Sequence, residues 1–398
     1  MKLFAIILAF CIFEILIELI IKKVKKDFPW FLERRDEYPN FDKIKFKKYL
    51  LNSFNPYLGW VRKKNITGYD SLGEKKIKFT IDKDGSRKTA KKNKKNLITC
   101  FGGSYVFGRQ VKDSETWQEQ MSKNKNFYLS NYGVGNYGTD QAIIRYEKIK
   151  FKNSTKIVIL GIVPEHICRI QSEWKHYFEF GNIHGFKPKY YLNKNKLMLK
   201  KVSINKKTKI KNIKNVIDKI KKTDRFYEEK FKKNLFKFPY LLNFFRNFNF
   251  NIKILYIFIT KKKDPHLRKD FYLNEVIKRN IEQAHNYYKD EYSKRLFLEI
   301  IKRFKLIAKS KKQIPILVVF PQKMDIKLKK SNINYKNFFD KQVSKEIITL
   351  DLTKFFEKKK INNLYTNKIY GSHLSPLGNK FVSKIIYNFL KKKVNEFK

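Results

Sequence analysis

The sequence predicts an α/β protein built on a parallel sheet, and three observations carry that expectation. Short apolar runs at residues 97–101, 127–131, 156–162, 314–320 and 346–350 have the length and composition of buried strands. Stretches with helical spacing lie between them. One opens at Thr139 as N-cap, and another covers about 290–310, with Leu296, Ile300, Phe304 and Ile307 on one stripe. Glycines punctuate the ends of the runs, Gly102-Gly103 after the first and Gly133, Gly135 and Gly138 after the second. Strand and helix in alternation are the signature of a parallel sheet.

At 398 residues the chain accommodates one large domain or two small ones, and it can bury a sizeable core. Its formal charge is +54, from 90 basic and 36 acidic residues. Such a charge suggests nucleic acid or an acidic membrane face, but no zinc, helix-turn-helix or RNA-aromatic motif accompanies it, so no specific nucleic-acid partner is expected. The lysines are spread along the whole chain among Asn, Ile, Phe and Tyr, which reads as solvated surface rather than a built patch. Cys11, Cys100 and Cys168 have neither metal spacing nor a disulfide framework, and no metal or organic cofactor is implied.

Taken in order, residues 1–26 read as a membrane anchor. Positions 3–21 are long enough to cross a bilayer as a helix, and no small-residue cleavage site follows. Glu14 and Glu18, one turn apart, share a face turned to the lipid interface or a partner. Lys22, Lys23, Lys25 and Lys26 outnumber Lys2, which on the positive-inside rule would keep the rest of the chain cytoplasmic. Residues 27–96 form a basic, aromatic lead-in of short strands and loops packed on the main domain, with a turn at Lys83-Asp84-Gly85 between two strands. The main domain comprises 97–170 and 291–398. Between its halves, residues 171–290 interrupt the alternation and read as an inserted helical, aromatic-rich subdomain or lid. Ile210, Ile213, Val216, Ile217 and Ile220 mark a helix there, and the apolar run Asn251–Ile259 is too short to span a membrane.

The chemistry-bearing stretch is Ile98-Thr-Cys-Phe-Gly-Gly-Ser-Tyr-Val-Phe-Gly108. The run ends at two glycines and Ser104, placing a hydroxyl at the carboxyl end of a strand, where open α/β sheets keep their sites. A serine nucleophile needs a base, oxyanion donors and a group that orients the base. His373, in the loop of Gly371-Ser-His-Leu-Ser-Pro-Leu-Gly-Asn379 before the last helix, is the candidate base. His166, His176, His184, His266 and His285 read more simply as loop or surface residues.

With Asn131-Tyr-Gly-Val-Gly-Asn-Tyr-Gly-Thr-Asp-Gln141 and Ile157-Val-Ile-Leu-Gly-Ile-Val-Pro-Glu-His166, these blocks resemble the SGNH/GDSL hydrolase family, specifically its membrane-anchored bacterial members of the cell-envelope polysaccharide type. Asn55-Pro-Tyr-Leu-Gly-Trp60 and Ile81-Asp-Lys-Asp-Gly-Ser-Arg87 look like the segment that precedes the serine block in those members. The resemblance covers about residues 55–170 and 345–395. It implies a three-layer αβα, flavodoxin-like parallel sheet and an outward or periplasmic domain on the bacterial inner membrane. It further implies a serine esterase or acyl transferase acting on O-acyl, chiefly O-acetyl, groups of an envelope polysaccharide, with envelope biosynthesis proteins as further partners. Ser104 would be nucleophile, His373 base, and backbone N–H groups of Ser104, Asn136 and Gly135 the oxyanion donors.

The chain departs from the family at four positions. Gly103 stands where Asp usually precedes the serine, Asn136 at the oxyanion glycine, Glu165 at the third-block asparagine with His166 after it, and Tyr370 where an Asp should precede the histidine. A carboxylate at 165 would repel an oxyanion unless protonated or turned to another role. A dyad with His373 oriented by the backbone, or by a carboxylate such as Asp351 or Glu165, would have to replace that missing Asp. These departures also motivate an alternative, a catalytically silent protein of the same fold that binds acidic glycan or envelope partners.

Overall fold

The computed structural model describes residues 2–27, 33–72, 75–90, 94–123, 125–149, 155–235, 237–260, 265–328, 333–366 and 372–397. Helix α1 (Lys2–Asp27) is apolar over Lys2–Lys23 and almost wholly exposed, and among the described residues it is the one helix long and apolar enough to cross a membrane. Its two glutamates part company. Glu18 pairs with Lys22 at 2.8 Å. Glu14 is only 2% exposed, and its carboxylate accepts the N–H groups of Tyr240 at 2.5 Å and Leu241 at 2.8 Å. Those residues begin a helix, so their N–H groups have no acceptor within it.

The lead-in holds more helix than expected. α2 (Lys43–Asn52) forms because Asp42 accepts from the Lys45 N–H at 2.7 Å and because Phe46, Tyr49 and Leu50 share one buried face. Strands β1 (Ile66–Leu72) and β2 (Lys75–Ile81) make an antiparallel hairpin. The expected turn follows β2, with the Gly85 N–H on Asp82 O at 2.9 Å, but its far strand is reduced to single bridges from Arg87 to Ile81 and Asn131.

From residue 95 the chain runs β3 (Lys95–Gly102), α3 (Ser104–Phe107), α4 (Trp117–Ser122), β4 (Phe127–Asn131), α5 (Thr139–Lys148), β5 (Ile157–Ile162) and α6 (His166–Arg169). The segment 171–290 follows, with the hairpin β6 (Lys189–Asn193) and β7 (Lys196–Lys200), then α7 (Ile213–Lys221), α8 (Tyr240–Arg246), α9 (Phe248–Thr260) and α10 (Pro265–Lys289). The chain returns through α11 (Glu291–Ser310), β8 (Ile314–Val319), β9 (Ile348–Asp351) and α12 (Pro376–Lys393).

Five strands pair in the order β9-β8-β5-β3-β4, all parallel. In chain order this is the doubly wound, flavodoxin-like arrangement 2-1-3-4-5. Successive residues on a strand point to opposite faces. Ile98, Cys100, Ile157, Ile159, Ile316 and Val318 therefore pack with Trp117 and Met121 of α4 and Val382, Ile386 and Leu390 of α12. Phe101, Val158, Leu160, Leu317 and Val319 pack on the other side with Ile143 and Tyr146 of α5 and Phe297, Ile301 and Phe304 of α11. Both faces are covered, which is why these strands read as continuous apolar runs rather than as alternation. Full burial of each such side chain is worth about 1.5–3 kcal/mol, enough to make the two faces the main source of the sheet's stability.

Apolar residues of the 171–290 segment divide between two clusters. Trp174, Tyr177, Phe178, Ile213, Ile217 and Phe231 join the sheet face that carries α5 and α11. Phe250, Ile254, Tyr272, Leu273 and Val276 form a cluster of their own. The apolar run at 251–259 lies within α9.

Three local expectations are corrected. The cap of α5 is Gly138, whose N–H is bound by Gln141 Oε1 at 3.2 Å, and Thr139 is the first helical residue with its hydroxyl 3.2 Å from His166 Nδ1. His166, His176, His184 and His285 are buried rather than superficial, while the His266 side chain lies outside the described residues. Lys175, Lys187, Lys189 and Lys230 are buried too, against the expectation of surface lysine.

Candidate active site

The rim of the sheet where strand order reverses, between β3 and β5, is where doubly wound sheets bind ligands. At that point β3 ends in Gly102, where an added Cβ would meet Gly161 O of β5 at 2.2 Å and Val106 Cγ2 at 2.5 Å. Only a residue without a side chain lets the turn into α3 sit down on the neighbouring strand. Ser104, the first residue of α3, is thereby held at the strand's carboxyl end, 9% exposed.

His373 reaches it from the other end of the chain. Ser375 caps α12, its Oγ accepting the Gly378 N–H at 3.0 Å with Pro376 at the first helical position. Upstream, the Thr366 N–H binds His373 O at 2.8 Å, and Tyr105 of α3 donates its hydroxyl to Ser372 O at 2.9 Å. The imidazole so fixed places Nε2 2.9 Å from Ser104 Oγ and Nδ1 3.2 Å from Gln110 Oε1.

The direction of these bonds follows from Gln110. Its Nε2 lies 3.4 Å from Ser71 O and its Oε1 2.8 Å from the Thr366 hydroxyl. A carbonyl only accepts, so the amide nitrogen faces Ser71 and the amide oxygen faces His373. Nδ1 accordingly carries the proton, and Nε2 presents a lone pair to the Ser104 hydroxyl. Burial, then the positive charges of Arg109 and Arg169, hold the His373 pKa well below the usual histidine value, which keeps the ring neutral and able to take a proton.

The loops around this pair are buttressed by the lead-in. Trp60 Nε1 donates to Gly135 O at 3.3 Å, the Tyr137 hydroxyl donates to Trp60 O at 2.5 Å, and Gln141 Nε2 donates to Leu58 O at 2.7 Å. Arg87, fully buried, donates to Phe107 O at 2.8 Å and Val111 O at 2.6 Å and pairs with Asp113 at 2.7 Å, bracing the segment that carries Gln110.

A cavity of about 400 Å³ opens over Ser104 and His373. Asn136 lines it with φ +68, a left-handed conformation that asparagine tolerates better than most residues. Gly135 is outside the described lining. Glu165 is in the wall, but its Oε2 is paired with Arg169 Nη2 at 2.8 Å and approached by Gln322 Nε2 at 3.4 Å, which offsets the repulsion expected of it, while its Oε1 makes no hydrogen bond among the described residues. His166 lies behind the serine turn, where a Cβ on Gly103 would stand 3.0 Å from its Nε2. The space that a side chain at 103 would occupy is thus taken by the histidine. Asp351 is not brought to His373. At the end of β9 it accepts from the Thr353 N–H at 2.9 Å and hydroxyl at 2.6 Å. Tyr370 lies outside the described residues. Arg34, Arg109, Arg169 and Lys175 complete a strongly cationic wall.

Gln110, the partner of Nδ1, was not anticipated, nor were the four cations. Gln110 lies 263 positions from His373, and no local pattern marks a glutamine for this role. Among the described residues no group of three or more His, Cys, Asp or Glu side chains is placed to hold a metal.

Fold and site together define an α/β protein with a hydroxyl, an imidazole and an amide hydrogen-bonded in line at the switch point of a doubly wound sheet. Neither a family model nor any curated protein matches the sequence. Among solved structures the chain is similar to a protein named as a lipolytic member of the G-D-S-L family from Desulfitobacterium hafniense DCB-2, at 12% identity over 74% of this chain and 99% of that one, with a TM-score of 0.32. At that level the fold assignment rests on the strand order itself.

Proposed function

We propose that the protein is a serine-dependent esterase or acyl transferase of the SGNH type, anchored in the membrane by α1, that acts on O-acyl groups of a cell-envelope polysaccharide. The observation that carries the reading is the 2.9 Å approach of His373 Nε2 to Ser104 Oγ with Gln110 on the opposite ring nitrogen. Ser104 Oγ attacks the acyl carbonyl while its proton passes to Nε2, and the carbonyl becomes a tetrahedral oxyanion facing the N–H groups of Ser104 and Asn136. Collapse expels the sugar hydroxyl, which takes the proton back from His373 and leaves an acyl-enzyme. Water or a second sugar hydroxyl then repeats the steps in reverse. Gln110 keeps the ring in the productive tautomer throughout.

The polysaccharide and the outward orientation come from the sequence resemblance. Membrane anchoring is supported by the exposed apolar length of α1 and by its junction with α8, beside which Phe238, Leu242, Phe245, Phe248, Ile252 and Leu255 are also exposed.

The deciding experiment compares full-length protein with Ser104→Ala and His373→Ala for turnover of acetyl esters and for fluorophosphonate labelling mapped by peptide. Each substitution is expected to lower turnover by about 10³-fold or more, and Ser104→Ala to abolish labelling. Equal turnover in all three chains would remove the assignment. Absent labelling combined with salt-sensitive binding of anionic glycan would favour the silent binding protein instead.

A further inference from the structure

Four lysines are buried among the described residues, Lys175, Lys187, Lys189 and Lys230. Three have carboxylate partners: Lys187 pairs with Asp140, Lys189 with Glu173 at 3.3 Å, and Lys230 with Glu179. This is what a buried ammonium requires, because desolvation of an unpaired charge is costly. Lys175 is the exception. It is 7% exposed and lines the cavity over Ser104, with the Phe180 ring 6.0 Å from its nitrogen, and among the described residues that nitrogen has neither an ion-pair partner nor a hydrogen-bond acceptor; burial and the charges of Arg109, Arg169 and Arg34 push its pKa well below the usual lysine value.

The lysine nitrogen lies close against the wall. An added Cβ on Gly181, which also lines the wall, would stand 2.2 Å from Lys175 Nζ, so the glycine makes room for it. The neighbouring charges are mostly of the same sign. Arg34, Arg109 and Arg169 share the lining with the single carboxylate Glu165, whose Oε2 pairs with Arg169 and whose charge attracts Lys175 without a hydrogen bond, and Arg109 is paired in turn with Asp70 at 3.6 Å. A cavity with three arginines, one buried lysine and one carboxylate in its wall is completed by an anion.

We infer that the substrate carries an oxyanion, a carboxylate or a phosphate of an acidic glycan, which seats against Lys175 while its ester is held at Ser104. The inference rests on the ester-cleaving reading for the word substrate, but the anion site stands on its own geometry. Lys175 offers three donors on a compact charge, suited to one oxygen or to several in turn, and the Arg34 and Arg109 guanidiniums add to the attraction. An anion seated there would restore the charge on Lys175 that burial and the three arginines oppose, which a neutral acylated sugar cannot do, so the wall favours the charged substrate.

The test separates the two readings. Full-length protein in detergent micelles, carrying Ser104→Ala so that no turnover intervenes, is titrated calorimetrically with methyl glucuronide, its uncharged methyl ester, and methyl glucoside 6-phosphate. A charged probe is expected to bind at least about tenfold more tightly than the methyl ester, and the tighter of the two identifies the anion's source as carboxylate or phosphate. Adding Lys175→Met should erase most of that preference. Arg34→Gln, a surface-side change, should reduce it in part and serves should the methionine variant fail to fold. Equal affinities, absence of measurable binding by either charged probe, or a preference that survives both substitutions would overturn the inference. Absence of fluorophosphonate labelling in the protein that keeps Ser104, with the anion preference intact in the Ser104→Ala variant, would remove the hydrolase reading and leave the anion site standing.

Discussion

At the scale of single residues, the site is defined by which groups can only donate and which can only accept. Ser71 O, Gln110, His373 and Ser104 form one chain of such constraints, and the tautomer of the imidazole is its product. Gln110 acts through His373, so its removal should disorder the base rather than delete a reacting group. Gln110→Ala is expected to slow fluorophosphonate labelling of Ser104 roughly 10- to 100-fold, whereas Gln110→Glu, which keeps an acceptor at Nδ1, should retain most of the rate. The glutamate should also raise the acidic midpoint of the labelling rate, because a carboxylate beside His373 opposes the burial and the Arg109 and Arg169 charges that now lower its pKa. A glutamate variant as slow as the alanine one, with an unmoved midpoint, would rule out the positioning role. Gly103 and Glu165 are departures from the family pattern that the geometry accommodates, the first because His166 fills the space and the second because Arg169 takes the charge.

At the scale of elements, the histidine loop depends on the start of α12. Ser375 Oγ accepts the Gly378 N–H and donates to Asn363 O at 2.6 Å, joining the helix to the segment before the loop. Ser375→Ala should lower the unfolding free energy by about 1 kcal/mol, read from the denaturant midpoint at unchanged slope. A change below about 0.3 kcal/mol would show the cap to be dispensable. This helix was legible because Ser-Pro is a start signal that acts over one turn. The helix at Lys43–Asn52 has a comparable signal in Asp42, yet the many surrounding lysines and aromatics blur its apolar face, and the segment reads as loop. The hairpin at 189–200 is stabilised by pairing between its strands, which no helical stripe announces.

At the scale of the whole molecule, burial of histidine couples stability to pH. His176, His184 and His285 are each pushed down to about 4 by burial, and His166 and His373 lie well below the usual value for the same leading reason. An unfolded histidine takes its proton near pH 6.5, the folded ones only lower, so between about pH 6.5 and 4 the unfolded chain binds more protons and stability is lost as the pH is lowered. The buried carboxyls Asp224, raised to about 6, and Asp325, raised to about 8, work in the opposite direction and moderate the loss. The melting temperature is therefore expected to be lower at pH 4.5 than at pH 7. His184→Phe, within the rings of Phe41, Phe46 and Tyr49, should make that difference smaller. An equal difference in both chains would refute the account.

The five strands and the place of Ser104 at a strand's end could be read from residues because hydrophobic runs and glycine turns act over a few positions of chain. The strand order, the junction of Glu14 with α8, the meeting of His373 with Gln110 and the unmatched Lys175 could not. Each depends on groups separated by more than a hundred positions or on what the surrounding core leaves unpaired, and those are properties of packing in three dimensions that no local pattern encodes.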